Sequence, residues 1–87
     1  GSSKRMTSTP KILDSVMDGR KDNNIQFADL QKLLDVLGFN HRTKGSHSIY
    51  WQDGIEEIIS IQPDGCKAKA YQVKQVRSII LKYALKF

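Results

Sequence analysis

Phe27, Leu30, Leu33, Leu34 and Leu37 recur at three- and four-residue steps, and the pattern stops at Gly38. That spacing draws one apolar stripe along a helix, so the helix has to bury a single face. Gly38 is placed to end it in the left-handed conformation. Beyond Gly38 the period changes from helical to alternating. His47, Ile49 and Trp51 fall on one side of an extended segment and Ser48 and Tyr50 on the other. With its aromatic and β-branched content, this predicts a strand over His47–Gln52. Asp53-Gly54 is a hairpin signal. Glu56–Gln62, carrying Ile58, Ile59 and Ile61, reads as the next strand, stopped by Pro63-Asp64-Gly65. A short strand is expected at Phe39–Arg42, and a turn or loop at Thr43–Ser46. The helical period returns in Val73, Val76, Ile79, Ile80, Tyr83 and Phe87. A short first helix is marked by Ile12, Leu13, Val16 and Met17, with Thr9 as its cap, Pro10 at its first position and Gly19 at its end. Arg20–Asn24 then reads as a polar link.

The order is helix, helix, strand, strand, strand, helix. Three sequential strands joined by short turns make an antiparallel meander, and helices with one apolar stripe each must cover one face of it. The fold class is therefore α+β. Without the first helix the order is α-β-β-β-α, that of the double-stranded-RNA-binding fold, which reads RNA by shape and phosphate contacts. A chain of 87 residues has room for one domain with a modest core. No apolar run approaches the roughly 20 residues of a membrane helix. The single cysteine, Cys66, excludes an intrachain disulfide framework and a multi-cysteine zinc cluster. A reducing cytoplasm is the expected compartment. Gly1-Ser2-Ser3 looks like the remnant of a cleaved tag.

The charge points to a partner. Fourteen basic residues against nine acidic ones give a net charge of +5, which favours a polyanion, most often nucleic acid. From Cys66 onward there are six basic residues (Lys67, Lys69, Lys74, Arg77, Lys82, Lys86) and no acidic one. Lys67, Lys69 and Lys74 flank the entry to the last helix, while Arg77, Lys82 and Lys86 read as solubilising charges further along it.

Phosphate-binding loops of the G-x-x-x-x-G-K-[ST] kind, G-x-G-x-x-G and H-E-x-x-H are all missing from the sequence. Glu56 and Glu57 are neighbours on a strand and point to opposite faces, so they do not form a catalytic carboxylate pair. Two histidines and one cysteine do not fill a structural zinc site. The candidate site is the segment Arg42-Thr43-Lys44-Gly45-Ser46-His47-Ser48-Ile49-Tyr50. A histidine starts a strand directly after a glycine turn, with two cations before it. Imidazole titrates near neutrality and can take a proton from a ribose hydroxyl or return one to a leaving oxygen. Gly45 lets a phosphate approach the backbone, where its N–H and that of Ser46 can face the oxygens. A surface histidine beside an ordinary turn would look the same in sequence. His41 has no such turn before it.

Residues 25–87 resemble the HicA family of toxins from bacterial toxin–antitoxin pairs. The matching stretches are Phe27-Ala28-Asp29-Leu30, Leu33-Leu34, Leu37-Gly38-Phe39, Gly45-Ser46-His47 with Ile49-Tyr50, and Val76-Arg77-Ser78-Ile79-Ile80. A subgroup of the family with an added N-terminal helix is also similar. The resemblance implies the double-stranded-RNA-binding-like fold and a small endoribonuclease that cuts mRNA and is held inactive by a HicB-like antitoxin. It aligns the family's essential histidine with His47 and its glycine with Gly45. The motif often continues with a second histidine, where this chain has Ser48. The third strand often ends in a proline–histidine element, where this chain has Ile61-Gln62-Pro63-Asp64-Gly65.

The expected organisation is a disordered N-terminus with tag remnant over residues 1–8, a short helix and linker over 9–24, and the HicA-like domain over 25–87. The expected activity is metal-independent, cofactor-free RNA cleavage, with no membrane partner. His47 is the catalytic base, and Lys44, Gly45 and Ser46 serve the reacting phosphate. Arg42, Lys67, Lys69 and Lys74 hold the strand. Tyr50, Lys44 or water is the acid. A non-catalytic RNA-binding module and a protein-interaction domain are the alternatives.

Overall fold

The structure is a computed structural model that describes residues 9–85, the side chain of Thr9 excepted. The expected cap at Thr9, the disorder and tag remnant expected in residues 1–8, and the roles expected of Lys86 and Phe87 lie outside what is described. The elements run α1 (Thr9–Met17), a 3-10 turn (Gly19–Asn24), α2 (Phe27–Val36), β1 (Asn40–Lys44), β2 (His47–Gln52), β3 (Ile55–Ile61), β4 (Pro63–Asp64), β5 (Lys67–Ala68) and α3 (Ala70–Tyr83). β1, β2 and β3 form an antiparallel sheet in that order, with Lys44 opposite His47, Arg42 opposite Ile49 and Ser48 opposite Ile61. The protein is therefore α+β, built on a three-stranded antiparallel meander.

The stripe on α2 is buried as its period requires, with Leu30, Leu33 and Leu34 fully enclosed. So is that of α3, through Val73, Val76, Ile79 and Ile80. They meet Ser48 and Tyr50 of β2 and Ile55, Ile59 and Ile61 of β3, so the helices cover one face of the sheet. α1 packs on α2 and α3 and adds Ile12 and Val16 to the same core. Gly38 ends α2 at φ +96°. The Phe39 N–H donates to the Leu34 carbonyl at 3.1 Å and the Gly38 N–H to Asp35 at 3.1 Å, the paired bonds of a Schellman cap. A Cβ at Gly38 would also meet Gln52 Nε2 at 2.8 Å. That amide donates to the Leu37 carbonyl at 3.0 Å and ties the helix end to β2.

Four local expectations are corrected. α1 stops at Met17 rather than Gly19, because the Asp18 carboxylate accepts from the Arg20 N–H at 3.1 Å and starts a new turn. The polar link Arg20–Asn24 is that 3-10 turn, and it buries Asp22. The loop expected at Thr43–Ser46 shrinks to Gly45-Ser46, since Thr43 and Lys44 remain paired with β2. Gly45 stands at φ +62° as the first of two turn residues, a position the type II′ hairpin reserves for glycine. Finally, the stop at Pro63-Asp64-Gly65 opens into a small hairpin, β4–β5. It is anchored to the start of α2 by the Phe27 N–H on the Cys66 carbonyl (3.0 Å) and the Ala68 N–H on Ile25 (2.8 Å).

Two ion pairs employ bases expected to be merely solubilising. Arg77 Nη1 donates to Asp22 Oδ1 at 2.9 Å and to the Val16 carbonyl at 3.3 Å, largely out of solvent. Lys82 Nζ donates to Glu57 Oε2 and the Tyr83 hydroxyl to Glu57 Oε1, each at 2.7 Å. The Lys82 hydrogen bond first, and the Tyr83 one second, hold the Glu57 carboxyl down from 4.5 to about 2. A carboxyl depressed in the folded state stabilises the fold above its unfolded pKa, and that contribution is lost as the pH falls through the folded one. Glu57→Gln is therefore expected to flatten the loss of stability between about pH 5 and pH 2, measured by urea unfolding at stepped pH. A constant difference from the wild type across that range would contradict it.

Candidate active site

His47 is the first residue of β2, immediately after the Gly45-Ser46 turn. It is exposed, and among the described residues no side chain hydrogen-bonds it. Opposite residues of an antiparallel pair project to one face, so the register sets Lys44 beside His47, Arg42 beside Ile49 and Asn40 beside Trp51. This is the face the helices leave open, because Ser48 and Tyr50, the alternate residues, are buried beneath them. Arg42, Ile49, Trp51 and Ile58 line a shallow cavity of about 210 Å³ on it. Alternation along β3 adds Ser60 near His47 and the acidic Glu56 at the far end.

The other expected bases lie on β5 and α3. Ser46 Oγ accepts from Gln62 Nε2 at 3.4 Å. The Gln72 amide, oriented by its network, donates to the Gln62 carbonyl at 3.2 Å and accepts from the Gln62 N–H at 2.9 Å. Gln62 thus links the first turn of α3 to the turn before His47. Lys69 stands at the N-cap of α3, Lys67 lies on β5 with Nζ 3.4 Å from Asn24 Oδ1, and Lys74 is exposed on the next turn of α3. Among the described residues, Arg42, Lys44, Lys67, Lys69 and Lys74 form no ion pair, unlike Arg77 and Lys82. These five cations thus have no acidic partner among the described residues.

Tyr50 does not join them. Its side chain is buried on the helix side of the sheet, 1% exposed, on the face opposite His47. Burial first, and the nearby Asp35 charge second, push its phenol pKa up, against a hydrogen bond from Gln31. A tyrosine so placed does not share a face with His47, which removes it from the auxiliary role expected of it.

A second histidine environment went unread in the sequence. His41 Nδ1 lies 3.3 Å from Asp35 Oδ1, and its ring stacks on Tyr50 with centroids 5.0 Å apart and planes at 27°. His41 stands opposite Tyr50 on the edge strand, so it caps the core on the helix side, away from Lys44 and Arg42. The signal available was its even position in the strand alternation, which places it with Tyr50 rather than with His47. Among the described residues no group of three histidine, cysteine or acidic side chains is set to hold a metal ion. No helix among them is long and apolar enough to cross a membrane. Comparison with protein-family models, curated proteins and solved structures returns no match to this chain.

Proposed function

We propose that the protein is an endoribonuclease of the HicA toxin type, with a double-stranded-RNA-binding-like fold, acting on mRNA and neutralised by a HicB-like antitoxin. The observation that carries the proposal is the pairing of exposed His47 with Lys44 across the Gly45-Ser46 turn, on a face that also holds Arg42, which forms no ion pair among the described residues. His47 is the general base on a ribose 2′-hydroxyl, which attacks the adjacent phosphorus. Lys44, with the backbone N–H groups of Gly45 and Ser46, stabilises the charge that develops on the phosphate oxygens. Lys44 or water protonates the leaving 5′-oxygen. Arg42, Lys67, Lys69 and Lys74 grip neighbouring phosphates, so binding weakens steeply with salt. An antitoxin that covers His47 and offers acidic groups to these cations would silence the site. The work is done by positioned side chains, and no step calls for a metal or cofactor.

The purified protein is expected to cut single-stranded RNA in the presence of a chelator. Replacing the ribose at the cut site by 2′-deoxyribose is expected to stop cleavage there, read from product bands on a defined oligonucleotide. Normal cutting of the deoxy substrate would exclude attack by the 2′-hydroxyl, and failure to cut any RNA would leave a binding module in place of an enzyme.

A further inference from the structure

The cavity beside His47 has a composition that phosphate chemistry alone does not explain. It is lined by Trp51 and Ile49, both half-buried, Ile58 at 61% exposure, and Arg42. The face is apolar in the middle and basic toward His47, with Glu56 the only acid that alternation places on it, at the opposite end. At about 210 Å³ it is smaller than the roughly 300 Å³ and upward of drug-sized ligand pockets, so it takes a single ring system rather than a helix or a folded loop. Flat aromatic and guanidinium surfaces beside free cations are what unpaired nucleobases stack on.

We infer that the open sheet face is a base-stacking platform, on which one unpaired RNA base lies against Trp51 and Arg42 while a neighbouring nucleotide presents its phosphate to His47. The inference rests on the ribonuclease reading for the identity of the ligand, and it adds a subsite to that reading. Trp51 is four residues along β2 from His47, about 13 Å at strand rise. The stacked base therefore belongs to a neighbour of the nucleotide that is cut. Paired RNA cannot use such a platform. Its base faces are covered by stacked neighbours, and its grooves display only base edges, 2′-hydroxyls and phosphates. The fold order would suggest shape-reading of duplexes, whereas this face selects single strands, loops or ends. A protein partner fits less well, because a small shallow cavity with unpaired cations beside it lacks the broad apolar area of a stable protein interface.

The chain has one tryptophan, so its emission reports this face directly. The His47→Ala variant of the 87-residue chain, which should not cut, is titrated with an unstructured RNA hexanucleotide and with a blunt RNA duplex. The expected result is saturable quenching by the hexanucleotide and little by the duplex. Trp51→Leu is expected to bind the hexanucleotide at least about tenfold more weakly by polarisation, with Trp51→Phe in between. In the cleaving protein, Trp51→Leu should lower kcat/KM mainly through KM. Equal quenching by duplex, or hexanucleotide binding without any emission change, would overturn the platform, and His47-dependent cleavage would still stand. Quenching by the hexanucleotide with no cleavage of any RNA would keep the platform and remove the nuclease. An emission that ignores RNA but shifts with protein concentration would assign the face to a second copy of the chain and overturn the inference.

Discussion

His47→Ala is expected to leave the fold intact and to lower the RNA cleavage rate by about 10²-fold or more, the usual contribution of a positioned general base. Both halves follow from the position of the residue. His47 is exposed, packs in no core cluster and hydrogen-bonds no described side chain. Its removal should change stability by no more than about 0.5 kcal/mol, as for other surface substitutions. The thermal midpoint and the far-ultraviolet spectrum are the checks on folding, and single-turnover cleavage of a labelled RNA is the check on chemistry. His41→Ala is the informative companion. It removes a ring stacked on Tyr50 and paired with Asp35, so it should cost stability and spare cleavage. If the folded His47→Ala protein cuts at the wild-type rate while His41→Ala is inactive, the Asp35–His41 pair is the catalytic centre and the assignment made above is wrong.

Arg77→Met is expected to be the most destabilising single change among the charged residues, by about 3 kcal/mol or more. Asp22 is 7% exposed, and Arg77 is the cation that reaches it, at 2.9 Å. Deleting the guanidinium leaves a carboxylate out of water without a partner, and deprives the Val16 carbonyl of its donor as well. For a domain of this size the loss corresponds to a fall of about 12 °C or more in Tm. Replacing both residues, as in Asp22→Leu with Arg77→Met, should recover much of the loss, because a buried pair exchanged for apolar groups of similar volume is often near neutral. Urea midpoints of the wild type, both single variants and the double variant form the cycle. An Arg77→Met midpoint equal to the wild type would show that the pair does not tie the 3-10 turn to α3.

Two expectations drawn from the last quarter of the chain fared differently for a physical reason. Six bases without an acid looked like one basic surface in the sequence. In the fold, Arg77 and Lys82 are drawn into pairs with Asp22 and Glu57, 55 and 25 residues away along the chain. Pairing over such distances leaves no periodic mark, since any exposed acid was a candidate partner. Lys67, Lys69 and Lys74 stand on β5 and at the start of α3, and among the described residues none of them is drawn into an ion pair. The β4–β5 hairpin that carries Lys67 was missed, because strands of two residues have no period to detect.

By itself, the sequence determined the helix stripes, the break at Gly38, the strand alternation of β2 and the turn that precedes His47. All of these are local consequences of side-chain spacing and of glycine's access to positive φ. Alternation also separated His47, Ile49 and Trp51 from Ser48 and Tyr50, but it is symmetric and cannot say which set faces water. Only the tertiary structure decided that. The stripes of α2 and α3 close over Tyr50, Ile59 and Ile61, which leaves His47 on the open face with Lys44, Arg42 and Trp51 and puts Tyr50 on the other one. The choice depends on which face buries the greater apolar area against both helices at once, and the spacing along one strand does not contain that sum.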